Sequence, residues 1–223
     1  MAFDYTPMSI SDIVYSKDAT KQLIADLVTN KVPYPYAGKN GILLYGVYGT
    51  GKTTLAKLLP DAIETARGGQ PGWAVRFEKI KANTNNGVEL LNSLQNTVET
   101  LGAPALYRHI VLDEVDLLTP SAMASLKSLM DMPTALWVLV TNNISKINLA
   151  VQDRCHLINF NAAPSPRWLP LAHKVMTDYG VAPIADGLLL SVIDKGDGSA
   201  RNIVNSLCTF ANLVRAQRGL PPL

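Results

Sequence analysis

The 223-residue chain is 48% hydrophobic and 17% charged, with a mean hydropathy of +0.12, a balance that excludes an intrinsically disordered chain. Its 20 basic and 18 acidic side chains leave a net charge of +2, so no strong overall field points to nucleic acid or to a membrane surface. The length allows one large domain, or a medium domain and a small one. Cys155 and Cys208 lie far apart without a CxxC spacing and read as free thiols of a reducing compartment. His109, His156 and His173 show no ligand spacing either. The start, MAFDYTPMSISD, lacks the basic and apolar regions of a secretory signal, and no apolar run is long enough to span a bilayer. These features predict a soluble, cytoplasmic protein.

In chain order, Ser11-Asp12 followed by Ile13, Val14, Ala19, Leu23, Ile24, Leu27 and Val28 predicts a capped amphipathic helix. Pro33 and Pro35 end it and lead into a strand, GILLYG. A helix over Thr53–Thr65 precedes the loop Gly68-Gly69 and Pro71-Gly72, then a strand over Ala74–Lys81 and a helix over Val88–Leu101. HIVLD, ALWVLVT and HLINF read as buried strands, with a helix from Thr119-Pro120 to Met130 between the first two. Strands alternating with helices predict an α/β fold with a parallel sheet. Beyond the linker Ala162–Pro166 only helices are expected, over Arg167–Tyr179, Ala185–Lys195 and Ser199–Arg218. The division is a core over residues 1–163 and a small helical domain over 164–223.

Gly46–Thr54, GVYGTGKTT, satisfies GxxxxGK[ST] between a strand and a helix, the context of a P-loop. Gly46, Gly49 and Gly51 let the backbone curl through Val47, Tyr48 and Thr50 so that successive N–H groups converge on phosphate oxygens. The helix starting near Lys52, and running through Thr54, adds its positive end. Lys52 is placed to reach the β- and γ-phosphates of ATP, and the Thr53 hydroxyl to ligate Mg²⁺. Asp113 ends a buried run, where a carboxylate needs a cation nearby, and is the second metal-site residue. Glu114 follows it and is placed to polarise an attacking water. Asp116 reads as a loop or helix acid. Asn142, which ends the strand ALWVLVT, would by itself read as a turn asparagine.

Order and spacing change that reading. The Asp-Glu motif followed by a strand ending in Thr-Asn resembles the AAA+ ATPases. VTNNISKINLAVQDRCHLINF, Val140 to Phe160, is similar to their clamp-loader branch, the replication factor C small subunits and phage clamp-loader ATPase subunits. The resemblance implies a five-stranded parallel core with a helical lid, the Asn142 strand between the P-loop strand and the Asp113 strand, and Asn142 near the γ-phosphate. It also implies that Arg154 acts in trans on the ATP of a neighbouring subunit, with Asp153 where the family has Ser. Gly198-Ser199-Ala200-Arg201 resembles the lid motif whose arginine, here Arg201, touches the γ-phosphate. Ile13 and Val14 match the positions that cradle adenine. Asn86 stands where the family carries an arginine near DNA, and the collar domain is absent from this length of chain.

The function implied is an ATP-hydrolysing subunit, with Glu114, Asn142, Arg154 and Lys52 as catalytic groups, ATP and Mg²⁺ as cofactors, and a homo- or hetero-oligomer as the working form. Its partner would be a replication or other DNA-processing protein, with DNA itself possible and no membrane. The alternative is an ATP-dependent assembly switch that recruits a partner with little turnover.

Overall fold

In the computed structural model, residues 3–99 and 104–221 are described. Five strands, β1 (Gly41–Tyr45), β2 (Val75–Lys79), β3 (Arg108–Asp113), β4 (Ala135–Thr141) and β5 (Cys155–Asn159), form one sheet in the order β2-β3-β4-β1-β5. Every pairing is parallel. β4 lies between β1 and β3, the placement that the family resemblance implies.

Helices α1 (Asp18–Val28), α2 (Lys52–Arg67), α3 (Val88–Glu99), α4 (Pro120–Leu129) and α5 (Leu149–Asp153) accompany the sheet. β1, β3 and β4 are buried along nearly their whole length, which is why they read as unbroken apolar runs. Two clusters cover their opposite faces. One joins Leu43, Ile110, Leu112, Trp137 and Leu139 to α3 and α4. The other joins Ile42, Leu44, Val111, Val138 and Val140 to α1 and α2. This alternation along each strand is the two-residue period of extended backbone. Arg67 at the end of α2 ties the layers: its guanidinium donates to Leu27 O, Val28 O and Tyr34 O, satisfying the carbonyls that the end of α1 leaves open.

The first helix begins later than its sequence pattern predicts. Asp12 does not cap a helix. Its carboxylate accepts from the Met8 and Ser9 amides and the Ser9 hydroxyl, closing a turn, and helix starts only at Asp18. The side chain therefore serves the turn before it, which takes Ile13 and Val14 out of the helix and sets them beside the nucleotide loop. The predicted helix over Val88–Leu101 is seen to Glu99, and its last residues lie outside the described set. Thr119 caps α4 by accepting from Ala122 N, as expected.

After β5 the chain forms a third cluster. α6 (Leu169–Asp178), α7 (Asp186–Asp194) and α8 (Ala200–Gln217) enclose Trp168, Val175, Met176, Leu189, Ile193, Ile203 and Leu207. Tyr5 and Val14 from the chain's start pack against it. None of the helices among the described residues is long and apolar enough to cross a membrane.

One buried polar knot has no counterpart in the sequence reading. Glu64 and His109 are fully buried and 2.7 Å apart, and the Glu64 carboxylate also accepts from Leu106 N and Tyr107 N. Burial lowers the His109 pKa below its ordinary 6.5, with Glu64 opposing the shift. A neutral folded histidine makes the unfolded chain bind more protons below that value, so stability falls as pH drops through 6.5 and below. The unfolding free energy from urea titration should decrease from pH 7.5 to 5.5, by at most about 1.4 kcal/mol per pH unit for one proton. Glu64→Ala, which strands the buried His109 ring and two part-buried amides, should cost about 3 kcal/mol at pH 7.5; a loss within experimental error would mean that the knot carries no stability.

Candidate functional site

The C-terminal ends of parallel strands collect the chemistry at one edge of the sheet, where ligands of open α/β folds bind. Gly46 leaves β1, Glu114 leaves β3 and Asn142 leaves β4. Gly46 has φ +139°, and a Cβ there would meet Asn161 Oδ1 at 2.6 Å and Phe160 O at 2.9 Å, so this turn excludes any side chain. The loop that follows is pinned from several sides. Val47 N donates to Asn161 Oδ1, and the Thr50 hydroxyl lies against Val47 O and Phe160 O. Gly51 is left-handed at φ 98° and opens α2. Lys52 Nζ donates to Gly46 O and Val47 O at 3.0 and 2.6 Å. Burial pushes the Lys52 ammonium down to about 8, partly offset by Asp113 and Asp116.

Asp113 is the centre of this edge. Its side chain is buried; Oδ2 accepts from the Thr53 hydroxyl at 2.9 Å and Oδ1 from Glu114 N at 3.0 Å. Burial raises its pKa, with the Thr53 hydrogen bond opposing; a carboxylate so placed is one that a cation would suit. A hydroxyl and a carboxylate in contact are hard oxygen donors that fit Mg²⁺, which takes few protein ligands and fills its other positions with water and phosphate. Among the described residues no group of three or more acidic, cysteine or histidine side chains gathers to hold a metal by itself.

Glu114 sits in the left-handed region at φ 60°, an uncommon conformation for a residue other than glycine, and its carboxylate is 3.1 Å from Lys79 Nζ at the end of β2. Two cross-ties set Asn142 beside it: Thr141 Oγ1 donates to Asp116 Oδ1 at 2.7 Å and accepts from Asn143 N at 2.9 Å.

A cavity of about 800 Å³ opens on these groups, lined by Gly49, Gly51, Lys52, Thr53, Asp113, Glu114 and Asn142. Arg201, at the start of α8, and Tyr48 line the same cavity. The helical cluster meets the P-loop directly. Ala200 N donates to Gly49 O at 2.8 Å, and a Cβ on Gly49 would fall 2.5 Å from Ser199 Oγ. A neighbouring cavity of about 490 Å³ is bounded by Ile13, Val14, Thr50, Gly51, Thr54, Trp168 and Leu171. The structure thus brings every expected site residue to these two cavities or to the loop that walls them, with one exception.

Arg154 is elsewhere. Its carbonyl accepts from Gly41 N at the start of β1, whereas the P-loop leaves the other end of that strand. The four steps from Gly41 to Tyr45 correspond to about 13 Å of extended chain, and the Arg154 guanidinium is held by Asp131 and by Ala150 O. Asn86 is used structurally: its side chain donates to Leu117 O and its carbonyl accepts from Thr119 N.

Sequence reasoning missed Lys79, the tie from Asp116 to Thr141, and residues 4–7, which line both cavities. Strand alternation could have placed Lys79 at the edge of the Asp113 strand. Nothing local marks the others.

This geometry defines a P-loop nucleotide-binding protein with two acidic residues and an asparagine around the phosphate loop. Residues 42–161, more than half of the chain, match the family described as ATPase family associated with various cellular activities (AAA). The chain belongs to that family. It is 26% identical over 219 residues to DNA polymerase III subunit tau of Bacillus subtilis, covering 91% of this chain and 38% of that protein. It is 25% identical over 207 residues to the replication factor C small subunit of Thermofilum pendens, covering 91% of this chain and 60% of that one. The chain spans less than two thirds of the length of both of these relatives. A single-substitution variant of Thermotoga maritima RuvB has the same fold, with a TM-score of 0.70 at 14% identity over 96% of this chain and 67% of that one.

If the Asp116–Thr141 tie holds Asn142 in register, Asp116→Ala should lower ATP turnover about tenfold while ATP affinity stays within twofold. A proportional loss of affinity would show that Asp116 acts through Lys52 instead.

Proposed function

We propose that the chain binds ATP at the P-loop, hydrolyses it where two subunits meet, and uses the cycle to remodel or load a replication or other DNA-processing partner. The observation that carries this reading is the division of the expected groups. Lys52, Thr53, Asp113, Glu114, Asn142 and Arg201 converge on one cavity, while Arg154 lies at the opposite edge of the same sheet. On this reading Arg154, remote from its own cavity, serves the site of another subunit.

In this mechanism the backbone N–H groups of the P-loop and Lys52 grip the phosphates. The adenine lies in the adjoining cavity against Ile13 and Val14. Thr53 and Asp113 would hold Mg²⁺, which when bound screens the phosphate charge. Glu114 leaves Lys79 and takes the proton of the attacking water, which Asn142 orients. Arg201 contacts the γ-phosphate from the helical cluster, so that the Gly49–Ala200 contact carries the nucleotide state into those helices. Arg154 of the neighbour offers charge that is present at every working pH. Direct DNA tracking has less support here, because Asn86 is turned inward onto Leu117.

The second reading, an assembly switch with little turnover, rests on the Lys79–Glu114 ion pair, which occupies the candidate base with a cation before nucleotide binds. Steady-state ATPase assays with and without primed DNA separate the two: a rate equal to that of Lys52→Ala under all conditions would favour the switch.

Lys52→Ala should abolish ATP binding, and Glu114→Gln should bind ATP with turnover reduced at least a hundredfold. Arg154→Ala should lose turnover while binding ATP normally, and mixing it with Lys52→Ala subunits should restore hydrolysis, since each supplies what the other lacks. Wild-type turnover by a strictly monomeric species would end the case for Arg154 in trans.

A further inference from the structure

Resting on the reading of Arg154 as the group supplied in trans, we infer that Asp131 is the positioning residue that holds this arginine in the orientation its neighbour's ATP requires. Nε and Nη2 of Arg154 donate side-on to the two oxygens of Asp131 at 2.7 and 3.1 Å. On its other side Nη1 donates to Ala150 O at 2.9 Å. The fork is thus gripped by two different elements, the residues after α4 and the body of α5, which fixes both the direction of the side chain and the rotation of its plane.

The donor count shows what remains. A guanidinium carries five N–H groups, and these contacts use three. The two left are one on each terminal nitrogen, donors that can bind phosphate oxygens. Asp131 therefore leaves Arg154 two donors for an incoming phosphate.

Asp131 is itself anchored. It follows Met130, which is buried in the core and whose carbonyl accepts from the buried Asn40 side chain at 2.8 Å. The Asp131 side chain is 56% exposed, and a pair this open to water adds little to stability. Its consequence is geometric: the neighbour receives an arginine already in place, and the assembled site avoids ordering a long side chain at each turnover.

The test is ATP turnover by assembled Asp131→Ala and Asp131→Asn, each alone and combined with Arg154→Ala, together with ATP affinity. Asp131→Ala should lower kcat ten- to a hundredfold at unchanged ATP affinity. Asp131→Asn, which keeps one acceptor oxygen, should fall between it and wild type. The double variant Asp131→Ala/Arg154→Ala should be no slower than Arg154→Ala alone, because a residue that acts only through Arg154 has nothing left to position. Lys52→Ala subunits, whose Asp131 and Arg154 are intact, should restore turnover at sites where Asp131→Ala subunits hold the ATP. A wild-type rate for Asp131→Ala beside a slow Arg154→Ala would overturn the role of Asp131 alone. A further loss in the double variant, or no restoration on mixing, would also overturn it by showing a structural defect. Wild-type turnover by Arg154→Ala would overturn the trans reading and this inference with it.

Discussion

A parallel sheet sorts side chains by strand end, and in this chain that sorting separates the two halves of the chemistry. β1 begins at Gly41, whose amide donates to Arg154 O, and ends at Tyr45, from which the P-loop departs. Because β1 pairs in register with both β4 and β5, neither end can move without breaking the ladder. Lys52, Asp113 and Asn142 are held at one edge and Arg154 at the other. No rotamer change bridges that span. Only a second subunit, placed with its Arg154 edge against the first one's P-loop edge, brings the groups together, so in the proposed mechanism the fold itself makes hydrolysis conditional on assembly.

The same rigidity explains how nucleotide can be sensed. Asp113 is bound at once to the Thr53 hydroxyl and the Glu114 amide, so the first turn of α2 and the exit of β3 share one buried carboxylate. Gly49 O is bound to Ala200 N, so the P-loop and the first turn of α8 share a backbone hydrogen bond. In the proposed mechanism phosphate drawn into the loop acts on these contacts, and the Gly49–Ala200 hydrogen bond passes the effect to the three-helix cluster. The N-terminal residues add a second connection, with Phe3 packed on Tyr179 at a ring separation of 5.3 Å and Tyr5 against the same cluster.

Much of this was legible beforehand, for a physical reason. Buried parallel strands must be apolar throughout, so HIVLD and ALWVLVT announce themselves, and a P-loop needs glycine where φ is positive, so Gly46, Gly49 and Gly51 are visible as a pattern. What stayed hidden depends on pairings between distant positions. Asp12 has the composition of a helix cap, yet it closes the turn before it, since Met8 and Ser9 offer three donors that a helix start six residues later does not. His109 looks like one residue of a strand until Glu64 is found opposite it. Asp131 is an ordinary surface acid until the end of α5 is placed beside it. Short-range patterns encode backbone conformation; the polar ties that hold a site in register are long-range, and a single sequence gives no signal for them.

Lys79 sets where Glu114 rests before nucleotide binds. It is half exposed and pairs with Glu114 at 3.1 Å, a geometry worth little in stability but enough to bias where a strained, left-handed residue points. In the proposed mechanism Glu114 must part from Lys79 before it can take the proton of the attacking water. Both Lys79 and Glu114 line the same open cavity, facing the space that a bound nucleotide would fill. Phosphate charge entering that cavity repels Glu114 and attracts Lys79, pulling the pair apart from both sides. In the proposed mechanism the charge that arrives with ATP is therefore also what frees the base, and the energetic cost is small because a pair this exposed is weak.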